Sequence, residues 1–165
     1  MAPEGLAVLF CGSAAGEASA KAGAYYAHPG NRFWRALHEA GLTPVRLAPH
    51  EFSTLPRYGL GLTDLAKHYA GPDSGLASED DDRERLTALV MRIRPRILAF
   101  VGKRPARAYL GHPVALGAQT RQIGATRIHV LPSPSGQAVR YWTLAPWQAL
   151  ANEIGPQKLR PDRNV

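Results

Sequence analysis

Two uninterrupted apolar runs, Leu6 to Cys11 and Ile97 to Val101, constrain the fold of this chain more than any other feature of its sequence. Each has the length of a strand, and each ends at a glycine, Gly12 or Gly102. A segment that is apolar at every position, rather than at every second one, belongs to a strand covered on both faces, the usual state of a central strand in a parallel sheet. The sequence after the second run, Lys103-Arg104-Pro105, opens a helix directly. Tyr58 to Leu65 carries another short strand before the Gly/Pro-rich stretch Ala70 to Leu76, and Ile128-His129-Val130-Leu131 is the last.

The segments between these strands read as helices. Phe33, Trp34, Leu37 and Ala40 fall on one face after a Gly30-Asn31 cap, and Gly41 is placed to stop that helix. Leu86, Leu89, Val90 and Ile93 repeat at helical spacing until Pro95, and Thr143 caps a final helix that tolerates Pro146 in its first turn. Strands alternating with helices predict a three-layer α/β/α domain with a mostly parallel central sheet, whose ligand crevice lies at the carboxyl ends of the strands. The chain has 165 residues, enough for one ordinary core without disulfides or metals. Residues 1–154 are assigned to that single domain, and residues 155–165, basic and rich in Pro, Gln and Asn, to a flexible C-terminal tail.

Lys and Arg number 20 against 13 acidic residues, a formal charge of +7 with a sequence pI near 10.0. This balance favours a polyanionic partner such as nucleic acid. The single cysteine, Cys11, excludes an internal disulfide and reads as a small apolar residue at a strand end, in keeping with a reducing cytoplasm. The start of the chain shows neither a basic n-region nor a long apolar stretch, so a soluble, cytoplasmic monomer without membrane attachment is expected. The acidic run Ser78 to Asp82 has the composition of a metal site. It immediately precedes an apolar-periodic helix, however, where acidic side chains complement the helix dipole and Ser78 serves as the cap. Gly12-Ser13-Ala14-Ala15-Gly16 lacks the glycine spacing of a dinucleotide fingerprint and the Gly-Lys-Ser/Thr ending of a P-loop. No metal and no organic cofactor are expected.

Phe10 to Gly16, followed by Tyr25-Tyr26-Ala27-His28-Pro29-Gly30-Asn31-Arg32-Phe33-Trp34, resembles the first motif and pocket wall of the mismatch-specific uracil-DNA glycosylases, the group that includes thymine-DNA glycosylase. Val130-Leu131-Pro132-Ser133-Pro134-Ser135-Gly136-Gln137 resembles that family's second motif, usually Asn-Pro-Ser-Gly followed by a DNA-wedging residue. The resemblance runs from about Leu6 to Trp147. It implies a uracil-DNA glycosylase-like fold and a DNA-repair enzyme that flips a deaminated base, uracil foremost with hypoxanthine or xanthine as alternatives. The enzyme would then hydrolyse the N-glycosidic bond and leave an abasic site. Two departures bear on this reading: Ala14 stands where the family has a catalytic Asn, and Ser133 where its second motif begins with Asn. Together they motivate an alternative, a catalytically weak or inactive binder of damaged or abasic DNA. Tyr25 to Pro29 after a Gly-Ser pair also resembles the hypoxanthine-DNA glycosylase branch, which likewise lacks the first Asn.

By the same resemblance, Gly12, Ser13, Ala14 and Gly16 meet the flipped base through backbone amides, Tyr26 stacks on it, and Ser133 contacts the base or its sugar. Ser135 and Gly136 approach a phosphate, Gln137 fills the gap left by the flipped nucleotide, and Arg140, Lys103 and Lys21 meet the DNA backbone. Each has a plainer reading: Tyr26 as a core aromatic, the lysines as solubilising surface charges. His28, before a proline, reads as a local hydrogen-bonding residue. Because Ala14 carries no side chain able to position water, that task falls to Asn31, Glu17, Asp64 or a backbone-held water. Asn31 doubles as a helix cap and Glu17 as a solvated loop acid. On this reading anion stabilisation by the loop amides and the second motif, together with the DNA phosphates, carries most of the rate, and no single side chain is indispensable.

Overall fold

The two all-apolar runs both form strands. In the computed structural model, which describes residues 4–156, β1 (Val8–Gly12) and β3 (Ile97–Val101) are buried throughout. They run parallel, with Val8 opposite Ile97 and Cys11 opposite Phe100. β2 (Leu60–Asp64) pairs parallel with the other side of β1 and brings Asp64 opposite Gly12. β5 (Thr126–Leu131) lies parallel to β3, and β4 (Gly117–Ile123) closes the sheet as an antiparallel edge, giving the order β2-β1-β3-β5-β4. Of the expected tail, residues 157–165 lie outside the described residues.

Among the described residues, five α-helices accompany this sheet: α1 (Glu17–Ala22), α2 (Phe33–Glu39), α3 (Arg83–Ile93), α4 (Lys103–Leu110) and α5 (Ala145–Ile154). Successive strand residues point to opposite faces. Val8, Phe10, Ile97, Ala99 and Val101 accordingly pack against Phe33, Trp34 and Leu37 of α2 and Trp147, Leu150 and Ile154 of α5. Leu9, Cys11, Leu98 and Phe100 pack on the other side against Leu86, Val90 and Ile93 of α3 and Ala106, Tyr109 and Leu110 of α4. The result is the three-layer α/β/α arrangement with a mostly parallel sheet that the apolar runs imply. Among the described residues, no helix is long and apolar enough to cross a membrane.

One strand is added and two local expectations are corrected. β4 has no counterpart in the sequence reading, because it is mostly exposed and polar and its pairing with β5 shifts register between Ala118 and Gln122. Ser78 does not cap α3: it opens a separate 3-10 turn, and the Asp82 carboxylate takes the cap by accepting the Arg85 amide at 2.9 Å. At α5 the residue before the first turn is Leu144, with no side-chain cap, so Thr143 does not serve there.

The rest of the acidic run is also structural. Asp81, with its side chain 3 % exposed, accepts two hydrogen bonds from the Arg104 guanidinium, at 2.6 and 3.1 Å. Removing one partner of such a pair leaves an uncompensated buried charge. Arg104→Met is therefore expected to lower unfolding stability at neutral pH by about 3 kcal/mol, read from urea denaturation. An unchanged midpoint would mean that the Asp81 carboxylate reaches water unaided.

Candidate active site

The carboxyl ends of β1, β2, β3 and β5 open on one edge of the sheet, and the candidate residues lie along it. On it lies Gly12, the last residue of β1. A methyl group on Gly12 would stand 2.8 Å from Asp64 Oδ1 and 3.0 Å from Tyr26 Oη, so the absence of a side chain is what lets a carboxylate and a phenol converge there. Asp64 is buried, at 5 % exposure. Burial pushes its carboxyl above the ordinary aspartate value, and the positive charges of Lys67 and Arg85 partly oppose that shift. Lys67 Nζ lies 3.8 Å from Asp64 Oδ2 and is itself held by a 2.7 Å hydrogen bond to Tyr25 Oη. The Arg85 guanidinium donates to the backbone carbonyl of Asp64 and so fixes the end of β2.

Tyr26 is one of two described non-glycine residues with positive φ, at 51°. Its ring stacks on Phe33 with centroids 4.0 Å apart, and Phe33 in turn meets Phe10 and Trp147 edge-on. A rigid aromatic column thus runs from the core to the carboxyl end of β1. Tyr26 is half-buried as a residue, but its hydroxyl oxygen is enclosed and has no hydrogen-bond partner among the described residues. Burial, followed by the Asp64 charge, pushes the phenol well above its ordinary pKa, so it stays a neutral O–H. Burial likewise keeps the Cys11 thiol protonated, as befits a packing residue.

The loop after β1 is tied to the segment after β2. Leu65, Ala66 and Gly71 donate their amides to the carbonyls of Gly12, Ser13 and Ala15 at 2.9, 2.8 and 2.9 Å, and Ser13 Oγ donates to Asp73 Oδ2 at 3.2 Å. These bonds fix the carbonyl side of the Gly12 to Gly16 loop. Ala14 is half-buried and Gly16 exposed. The chain then enters α1 rather than continuing as a loop, with Glu17 at its first position and Lys21 in its last turn, both exposed. Among the described residues, no side-chain hydrogen bond or ion pair joins Glu17 or Lys21 to Asp64 or Tyr26.

The two motifs lie back to back. The Arg32 amide donates to the Pro134 carbonyl at 2.8 Å, and a methyl group on Gly136 would stand 3.2 Å from the Gly30 carbonyl oxygen. Asn31 Oδ1 accepts the Phe33 amide at 2.9 Å and so starts α2, while His28 Nδ1 accepts the Gly30 amide at 2.9 Å in the local role expected of it. Ser133 packs beside Gly102, and its Oγ accepts the Ser135 amide at 3.3 Å. Ser135 Oγ accepts from Gln137 and begins a 3-10 segment, Gly136–Tyr141, on which Gln137 and Arg140 are exposed. Lys103 is exposed at the first position of α4.

Gly12, Tyr26 and Asp64 are therefore brought together, Ser133 and Lys103 flank the same edge, and Glu17 and Lys21 stand out on α1. Sequence reasoning missed Lys67, Tyr25 and Arg85 as supports of Asp64. Only the three-residue spacing of Asp64 and Lys67 carried a local signal; Arg85 arrives from α3, twenty-one residues away in sequence.

The fold is an α/β domain with a mostly parallel sheet, a class whose ligands bind at the carboxyl ends of the strands. A family model described as the uracil DNA glycosylase superfamily matches residues 1–152. The chain belongs to that superfamily, and membership marks it in general terms as a DNA glycosylase, a hydrolase of damaged DNA in repair.

Proposed function

We propose that the protein is a monofunctional uracil-DNA glycosylase, working as a monomer, that flips the deaminated base into the crevice and hydrolyses its N-glycosidic bond. Hypoxanthine and xanthine are the alternative bases. Extrusion costs a few kcal/mol and is cheapest where pairing is weak, so G:U mispairs are better substrates than A:U pairs. The observation that carries this reading is the buried Asp64 carboxylate facing Gly12 beside Tyr26, on the rim where the family's water-positioning side chain is replaced by Ala14. Of the three candidates, Glu17 is exposed and the Asn31 acceptor is committed to α2, which leaves Asp64 as the group that holds the attacking water.

The chemistry follows from that placement. The Tyr26 ring stacks on the base, and the amides of Ser13 to Gly16 stabilise the anion that the base becomes as the C1′–N bond breaks and its electrons leave with the base. Water then bonds to C1′ through its oxygen, its proton passes to Asp64, and the departing base takes up a proton. Ser133 contacts the base or sugar, Ser135, Gly136, Lys103, Lys21 and Arg140 meet phosphates, and Gln137 occupies the space the nucleotide vacates.

This role requires ionised Asp64, so single-turnover base release falls on the acid side as the carboxylate protonates. Burial holds that carboxyl above the ordinary value of 3.8, and the acid limb lies correspondingly higher. Lys67→Met removes a cation that favours the ionised form and is expected to move the limb to still higher pH, whereas Lys67→Arg leaves it in place. The pH profile of base release from a G:U duplex checks this. An acid limb that ignores Lys67 would count against Asp64 as the titrating group.

A further inference from the structure

The Tyr26 hydroxyl is a buried donor with nothing to donate to among the described residues. Buried polar atoms are nearly always hydrogen-bonded, and an exception calls for a ligand or an ordered water. Stacking does not explain it, because a phenylalanine ring offers a base the same face without burying a polar atom. The surroundings narrow what the partner can be. Tyr26 Oη and Asp64 Oδ1 stand 3.0 and 2.8 Å from one point above Gly12, yet no hydrogen bond joins them. The phenol can donate or accept and an ionised carboxylate only accepts, so a molecule that bridges the two must donate to Asp64 and can accept from Tyr26. Water does both. The backbone is also held for the purpose: Tyr26 sits at φ 51°, its ring is clamped on Phe33, and the Trp34 indole donates to the carbonyl of the preceding Tyr25 at 3.0 Å.

We propose that the Tyr26 hydroxyl and the Asp64 carboxylate together hold the attacking water, which makes Tyr26 a catalytic residue as well as a stacking platform. This rests on the glycosylase reading and deepens it. The phenol donates to one lone pair of the water and the carboxylate accepts one of its hydrogens, which leaves the second lone pair directed at C1′. When the C–O bond forms, the accepted hydrogen passes to Asp64 as a proton, and the phenol keeps its own. Two fixed partners orient the water as the family's missing asparagine side chain would have done.

Tyr26→Phe tests this, since it removes the hydroxyl and keeps the ring. Single-turnover base release from a G:U duplex is expected to fall by about 10- to 100-fold, with affinity for the duplex and thermal stability unchanged. In an Asp64→Asn background the same substitution should cost much less, because both groups act on one water. A Tyr26→Phe rate within about twofold of the parent overturns the proposal and leaves the glycosylase reading intact. A crystal structure of the free protein gives a readout that needs no turnover: electron density for a water within about 3 Å of both Tyr26 Oη and Asp64 Oδ1 supports it. A direct bond between the two side chains, or a dry contact, sinks it whether or not the protein releases bases.

Discussion

Asp64→Ala is expected to slow single-turnover base release on the order of 10³-fold, in the range associated with a positioned acid or base, while binding of the damaged duplex changes little. Asp64→Asn keeps the shape and can still hold a water but accepts no proton, so its rate falls between the two. Stability should move differently. A carboxyl whose pKa is raised by folding is disfavoured as the anion, so its stability contribution declines as pH rises from the ordinary aspartate value through the raised one. At neutral pH the Asn variant should therefore unfold no earlier than the parent. Lost activity without lost stability is the signature of a group kept for function. A rate within tenfold of the parent for Asp64→Ala would return the task of positioning water to Asn31 or the loop amides.

Gly12→Ala is the second substitution with a large expected effect, and crowding alone causes it. Gly12 lies in β1 without a positive φ, so alanine suits the backbone there. Its methyl group would nevertheless stand 2.8 Å from the Asp64 carboxylate and 3.0 Å from the Tyr26 hydroxyl, and both side chains must shift. Overpacking of this kind destabilises by about 1–3 kcal/mol. Displacing both groups proposed to hold the attacking water is expected to cost on the order of 10²-fold in base release, because small misplacements at the chemistry are expensive. Urea unfolding and single-turnover kinetics on one preparation separate the two effects. A variant with parental kinetics would show that Asp64 and Tyr26 do not converge above Gly12 in the working enzyme.

Much of this architecture was legible in the sequence because it rests on local pattern. The all-apolar runs of β1 and β3 specified two-faced burial, and Phe33, Trp34 and Leu37 marked the inward face of α2. The fragments resembling family motifs fell on strand ends, where the structure also has them. What escaped was set by distant parts of the chain. β4 has neither an apolar run nor a clean alternation, and only pairing with β5 makes it a strand. Asp64 stood in the sequence as one of three acceptable candidates. Its place above Gly12 follows from the β1–β2 register and from supports contributed by Lys67, Tyr25 and Arg85. The acidic run misled in detail for the same reason, since the partner of Asp81 lies twenty-three residues on, in α4.

The central claim is that this chain breaks an N-glycosidic bond even though Ala14 and Ser133 stand where the motif resemblance would place asparagines. Purified protein incubated in excess over labelled duplexes containing G:U, A:U or hypoxanthine, followed by alkali cleavage of abasic sites, measures it most directly. The account predicts release from G:U faster than from A:U, with hypoxanthine marking the width of the pocket. Intact strands in every duplex, despite tight and salt-sensitive binding, would contradict it and make the protein a binder of damaged DNA.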